Sequence, residues 1–118
     1  MSKNILEVFM ENIILKLLLS DTIKGNVLFC LYKISDLNMK FFEKNIDIDL
    51  ETILKYYNEN IKPRRNLMIH ELRKCVFELH NDNIINMNST MFFDEFVYSI
   101  YNYDMDIFKN FMHLSLVY

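Results

Sequence analysis

Residues Asn66 to His80, NLMIHELRKCVFELH, carry the clearest pattern in the chain. At 3.6 residues per turn Met68, Ile69, Leu72, Cys75, Val76 and Leu79 share one side, with Asn66, His70, Arg73, Lys74 and Glu78 opposite, which predicts an amphipathic helix. Pro63 suits a helix start, because a first turn needs no N–H from that residue and tolerates its fixed φ. Asn81-Asp82-Asn83 reads as the stop.

Upstream, Asn45 to Asp49 alternates polar and apolar residues as a short strand would, but Asp49 has the stronger reading as an N-cap. Ile48 and Ile53 then occupy the two positions of a hydrophobic staple, and Leu50, Ile53, Leu54 and Tyr57 form a stripe expected to be mostly buried. Before that, Val27 to about Lys44 predicts a helix with Val27, Cys30, Leu31, Ile34, Leu37 and Phe41 on its apolar side and a break near Ser35-Asp36. Ser20 to Asn26, which holds the only glycine, predicts a turn.

The first helix is expected over Lys3 to Leu19, capped by Ser2. Asn4, Glu7 and Glu11 form a polar line with Leu6, Phe9, Met10, Ile13 and Leu17 opposite, yet Ile14 and Leu18 continue the polar line and are expected at the surface. Downstream of the quoted stretch, Asn81 to Ser89 reads as a linker that tucks Ile84, Ile85 and Met87 inward. A helix to about Asn102, capped by Ser89 or Thr90, would bury Phe93, Phe96, Val97 and Ile100 and turn Asp94, Glu95, Tyr98 and Tyr101 outward. Asp104 caps a last helix with Ile107, Phe108, Phe111 and Leu114 on its apolar face. The sum is an all-α, single-domain bundle of about six or seven helices spanning residues 1–118.

Composition agrees with that class. A chain that is 52% hydrophobic and 25% charged folds rather than staying disordered, and one glycine with one proline argues against many tight turns. A net charge of −3 gives no general attraction for phosphate backbones, so nucleic acid would need the local cluster Lys62, Arg64 and Arg65, extended by Arg73 and Lys74. No nucleic-acid partner is expected; a small helical nucleic-acid-binding module using these residues, or a structural protein of an AT-rich virus or parasite, is the alternative. The isolated Cys30 and Cys75 read as buried free thiols of a reducing compartment, the cytoplasm. Glu7 and Glu11 interrupt the N-terminal apolar stretch, which argues against a secretory leader, and the greasy runs are shorter than the ~20 residues of a membrane span. The chain lacks Ala and Gln and is rich in Asn, Ile, Lys, Phe, Tyr and Met, as an AT-rich genome would encode.

No catalytic arrangement emerges. His70, His80 and His113 fall on polar helix faces without a metal-ligand partner at i+4. Asp47, Asp49 and Glu51 begin like a calcium loop, but no glycine follows and Asn58 stands at the twelfth position. Cys75 lies on the apolar face, away from His70 and His80, so nucleophile and base are separated. No enzyme, cofactor or metal site is expected. The remaining signal is apolar residues on polar faces: Ile14, Leu18, Leu67 and Phe77. Either both helices are covered by neighbours on two sides, or these residues mark a protein–protein surface, a reading that Phe77 beside Arg73, Lys74 and His70 also allows.

The run LMIHELRKCVFELHNDN followed by MFFDEFVYSIYNYDMDIFKNFMHLSLVY resembles the last three helices of the poxvirus Bcl-2-like proteins, small virulence factors of the vaccinia type. Met68 to Leu79 around Cys75 is similar to their apolar helix, Phe92, Phe93 and Phe96 to the aromatic-rich helix after it, and Asp104 to Met112 to the acidic-capped final helix. The resemblance covers Asn66 to Tyr118. It implies a Bcl-2-like fold and a non-enzymatic decoy that binds host signalling proteins to damp NF-κB activation, with inhibition of apoptosis through a groove as the alternative. It also implies pairing through the first and last helices. A homodimer centred on Ile14 and Leu18, with Met105, Met112 and Leu116 beside them, is therefore predicted.

Overall fold

A computed structural model describes residues 5–42, 47–61, 66–89, 96–100 and 107–112. The chain is mostly helical: α1 (Ile5–Leu19), α2 (Ile23–Phe42), α3 (Leu50–Asn60), α4 (Ile69–Asn81) and α5 (residues 107–112). Five helices stand among the described residues where six or seven were expected. Three strands join them, β1 (Ile48–Asp49), β2 (Ile85–Ser89) and β3 (Phe96–Ile100), in one antiparallel sheet of order β1-β3-β2.

The buried axis of the molecule is α2, not the amphipathic helix of the opening stretch. Val27, Leu28, Cys30, Leu31, Tyr32, Ile34 and Ser35 of α2 are all buried, and α1, α3, α4 and β3 pack around it. A helix apolar on several sides belongs inside, whereas α4, with one polar side, covers it from the surface. The break expected near Ser35-Asp36 does not occur: α2 runs on through a buried Ser35 to Phe42. Phe108 of α5 closes over α2, stacked on Tyr32 at 5.2 Å and edge-on to Phe29 at 5.8 Å.

The turn between α1 and α2 is shorter than expected, because the glycine serves a close approach. Thr22 Oγ1 accepts the Gly25 N–H at 3.0 Å, so the glycine already lies in the first turn of α2. Any Cβ at Gly25 would overlap the Leu17 carbonyl oxygen. That approach fixes which side of α1 faces inward. Ile14 and Leu18 are buried, Met10, Ile13 and Leu17 pack half-buried beside them, and Phe9 points to solvent. The expectation that Ile14 and Leu18 are surface residues is overturned: α1 is apolar on more than one side, and its rotation follows from its contact with α2.

Asp49 acts both ways the sequence allowed. Its carboxylate accepts the Thr52 N–H at 2.7 Å as the cap of α3, and its backbone pairs opposite Val97 as the end of β1. Entry to α4 is set by Asn58, whose side chain brackets the backbone of Leu67, and by Glu71, which accepts the Met68 N–H at 3.2 Å. Met68 is thus the capping residue and is half exposed rather than buried. The expected role of Pro63 lies outside the described residues. At its other end α4 closes in a Schellman motif: the Ile84 N–H donates to the Leu79 carbonyl, the Asn83 N–H to that of His80, and Asn83 takes φ 59°.

The linker and the helix expected beyond it are replaced by strands. Ile84 and Ile85 do tuck inward, but Ile85–Ser89 is β2, and Phe96–Ile100 is β3 rather than the end of a helix. Tyr98, expected outward, is buried. Phe-Val-Tyr-Ser-Ile is short, aromatic and β-branched, and apolar spacing in so short a run fits either period; pairing with β2 and β1 decides it. The rest of the expected helix, with Phe93, lies outside the described residues.

Candidate protein-binding groove

Side chains alternate across a strand, so Phe96, Tyr98 and Ile100 share one face of β3. Ile48 and Met87 flank Tyr98 in register and Ile85 flanks Ile100. Cover over this face decreases along the strand: Ile100, Ile85 and Tyr98 are buried, Met87 is half-buried, and Phe96 is 46% exposed. The hydrophobic layer of the sheet thus continues past the helices that cover it.

On α4 the residues Ile69, Arg73 and Phe77 fall at successive i+4 positions and form the wall beside that uncovered end. Phe77 is 56% exposed. With Leu50 at the start of α3, these groups line an open groove of about 650 Å³, floored by Met87, Phe96 and Tyr98 and rimmed by Asp49, Glu51 and Arg73. Burial raises the pKa of the Tyr98 phenol, and the Arg73 guanidinium partly offsets the rise. The hydroxyl therefore stays protonated at neutral pH, a donor as well as an acceptor at the groove floor.

Of the residues singled out in the sequence, Phe77 and Arg73 meet here. Ile14 and Leu18 are in the core, Met112 is half-buried against it, and Met105 and Leu116 lie outside the described residues. Phe96, Met87 and Tyr98 were missed as site residues because their convergence depends on strand register. In the α3 stripe Ile53 and Tyr57 are fully buried and Leu50 and Leu54 half-buried, so only Leu50 reaches the groove.

Burial pushes the Cys30 thiol up to about 12, and burial followed by the charge of Glu78 raises that of Cys75, so neither forms a thiolate nucleophile near neutral pH. His70 is exposed on α4, and His80 Nδ1 lies 3.4 Å from the Ile85 carbonyl oxygen. Among the described residues no three His, Cys, Asp or Glu side chains gather as a metal site, and no helix is long and apolar enough to cross a membrane. Lys24 joins α2 to the end of α4 through Glu78 at 3.6 Å and Asp82 at 3.9 Å, both partly exposed pairs of small energetic weight. Comparison of the chain with protein-family models, curated proteins and solved structures gives no match.

Proposed function

We propose that this chain is a non-enzymatic binding protein that takes an apolar anchor of a partner protein into the groove between α4 and the sheet. The observation that carries this reading is the pair Phe77 and Phe96, two large aromatic side chains left about half exposed over an apolar floor while neighbours on the same elements are buried. Aromatic anchors beside an arginine, rimmed by charge, are the composition of interface hot spots. The acidic rim at Asp49 and Glu51 favours a partner segment with a basic residue next to its anchor.

The narrower reading follows the family resemblance: the partner is a host signalling protein, and the chain is a viral Bcl-2-like inhibitor of NF-κB activation in the host cytoplasm. Strand β3 stands where the resemblance implied a helix, so this reading rests on the α4 stretch and the composition. Expression in cells carrying an NF-κB reporter, with recovery of bound signalling proteins, tests both levels. Suppression by the wild type and not by Phe77→Asp with Phe96→Asp supports the narrower reading. An unchanged reporter with groove-dependent binding to some other protein leaves only the wider one, and no groove-dependent partner sinks both.

A further inference from the structure

We propose that the groove takes the C-terminal residue of its partner: a large apolar side chain set between Phe77 and Phe96, and a free α-carboxylate held by Arg73 and the Tyr98 hydroxyl. This rests on the reading of the groove as a protein-binding site and adds the chemistry of what enters it. Two polar groups in the groove are left over by the fold. Tyr98 is only 4% exposed and reaches the groove floor, yet among the described residues its hydroxyl makes no hydrogen bond. A buried hydroxyl in that state costs free energy until a ligand or water completes it. Arg73, on the wall between Ile69 and Phe77, forms no ion pair with any described carboxylate. The guanidinium lies near enough for its charge to act on the Tyr98 phenol. Both groups are donors at neutral pH, so together they suit an acceptor that carries negative charge.

The two rims of the groove differ in sign. On the α3 side the Asp49 carboxylate is engaged by the Thr52 N–H and Glu51 stands beside it, so an entering carboxylate is repelled there and drawn to Arg73 on the α4 wall. A chain end fits that asymmetry, with its α-carboxylate at Arg73 and a basic residue just before the anchor turned to Asp49 and Glu51. Arg73 and Phe77 stand one helical turn apart, about 6 Å, which matches the reach from an α-carboxylate to the side chain of the same residue. An acidic neighbour of the anchor in an extended segment would point to the opposite side, away from Arg73.

Titration of the full chain with three short peptides, followed by NMR, tests this chemistry. The first is acetyl-Gly-Ser-Lys-Phe with a free C-terminal carboxylate, the second is the same peptide closed as an amide, and the third is acetyl-Gly-Lys-Phe-Glu closed as an amide, whose carboxylate sits on a side chain. The free acid is expected to bind at least about tenfold more tightly than either amide. In Arg73→Gln, where the replaced side chain is exposed, that ratio should fall below about twofold. Tyr98→Phe should weaken the free acid while leaving the amide's affinity and the melting temperature unchanged, because the hydroxyl removed makes no bond in the free chain. Phe77→Ser should weaken all three peptides. Equal binding of acid and amide that still depends on Phe77 overturns the proposal and leaves the groove reading standing. So does a glutamate peptide that matches the free acid, or a preference for the acid that Arg73→Gln keeps. Binding by none of the three also overturns it, and the groove reading is then decided by the proteins recovered from cells.

Discussion

Gly25 lets α2 approach α1 closely, because a Cβ there would overlap the Leu17 carbonyl oxygen. Gly25→Ala would raise helix propensity in isolation, but here the overlap with backbone forces α1 away from α2; a net loss of about 1–3 kcal/mol in urea unfolding is expected. Cys30 supplies a pH dependence of known sign. Its thiol titrates near 12 in the folded chain against an ordinary value of 9.0, so below pH 9 both states hold the proton and the group is silent. Above that the unfolded chain releases the proton first, and stability falls as pH rises from about 9 towards about 12, with a slope approaching about 1.4 kcal/mol per pH unit. Denaturant midpoints at a series of alkaline pH values should decline, and less steeply in Cys30→Ala. Cys75, Tyr56 and Tyr98, also raised by burial, leave a residual slope.

At the scale of an element, the end of α4 depends on a left-handed residue. Asn83→Val places a β-branched side chain at φ 59° and should cost roughly 1–2 kcal/mol, whereas Asn83→Gly should be neutral or mildly stabilising, as thermal melts of the two variants would report. That stop was legible in the sequence, as was the Asp49 cap, because both rest on side chains acting within a few residues of themselves. The inward side of α1 was not, since its apolar residues allow more than one orientation and the choice lies with Gly25 on another helix. Strand β3 was illegible for the same reason on a longer range. Only the pairing of Phe96 to Ile100 with Ser89 to Ile85 distinguishes the strand from a helical turn and a half of similar composition. The groove inherited that difficulty: Phe77 was visible as an apolar residue on a polar face, and Phe96 was placed in a core that does not cover it.

For the whole molecule, the groove leaves aromatic area in water that a closed core would bury. Phe77 and Phe96 are each about half exposed, so replacing them by serine should cost the fold only about 1–2 kcal/mol per site while partner capture is lost; calorimetric unfolding beside a binding assay separates the two. The same assembly has a temporal side. Helices α1 and α2 are neighbours in the chain and need only a three-residue turn, but the sheet closes by bringing Ile48 against Tyr98, whose positions differ by 98 − 48 = 50. Closing so long a segment is entropically expensive before any strand contact repays it. A helical chain of this length would be expected to refold in microseconds to milliseconds; the β1–β3 pairing moves this one towards the slower part of the millisecond range and beyond. Pulsed hydrogen exchange during refolding should therefore protect α2 amides ahead of those of Val97 and Tyr98, so that the groove, floored by β3, takes shape after the helices around α2.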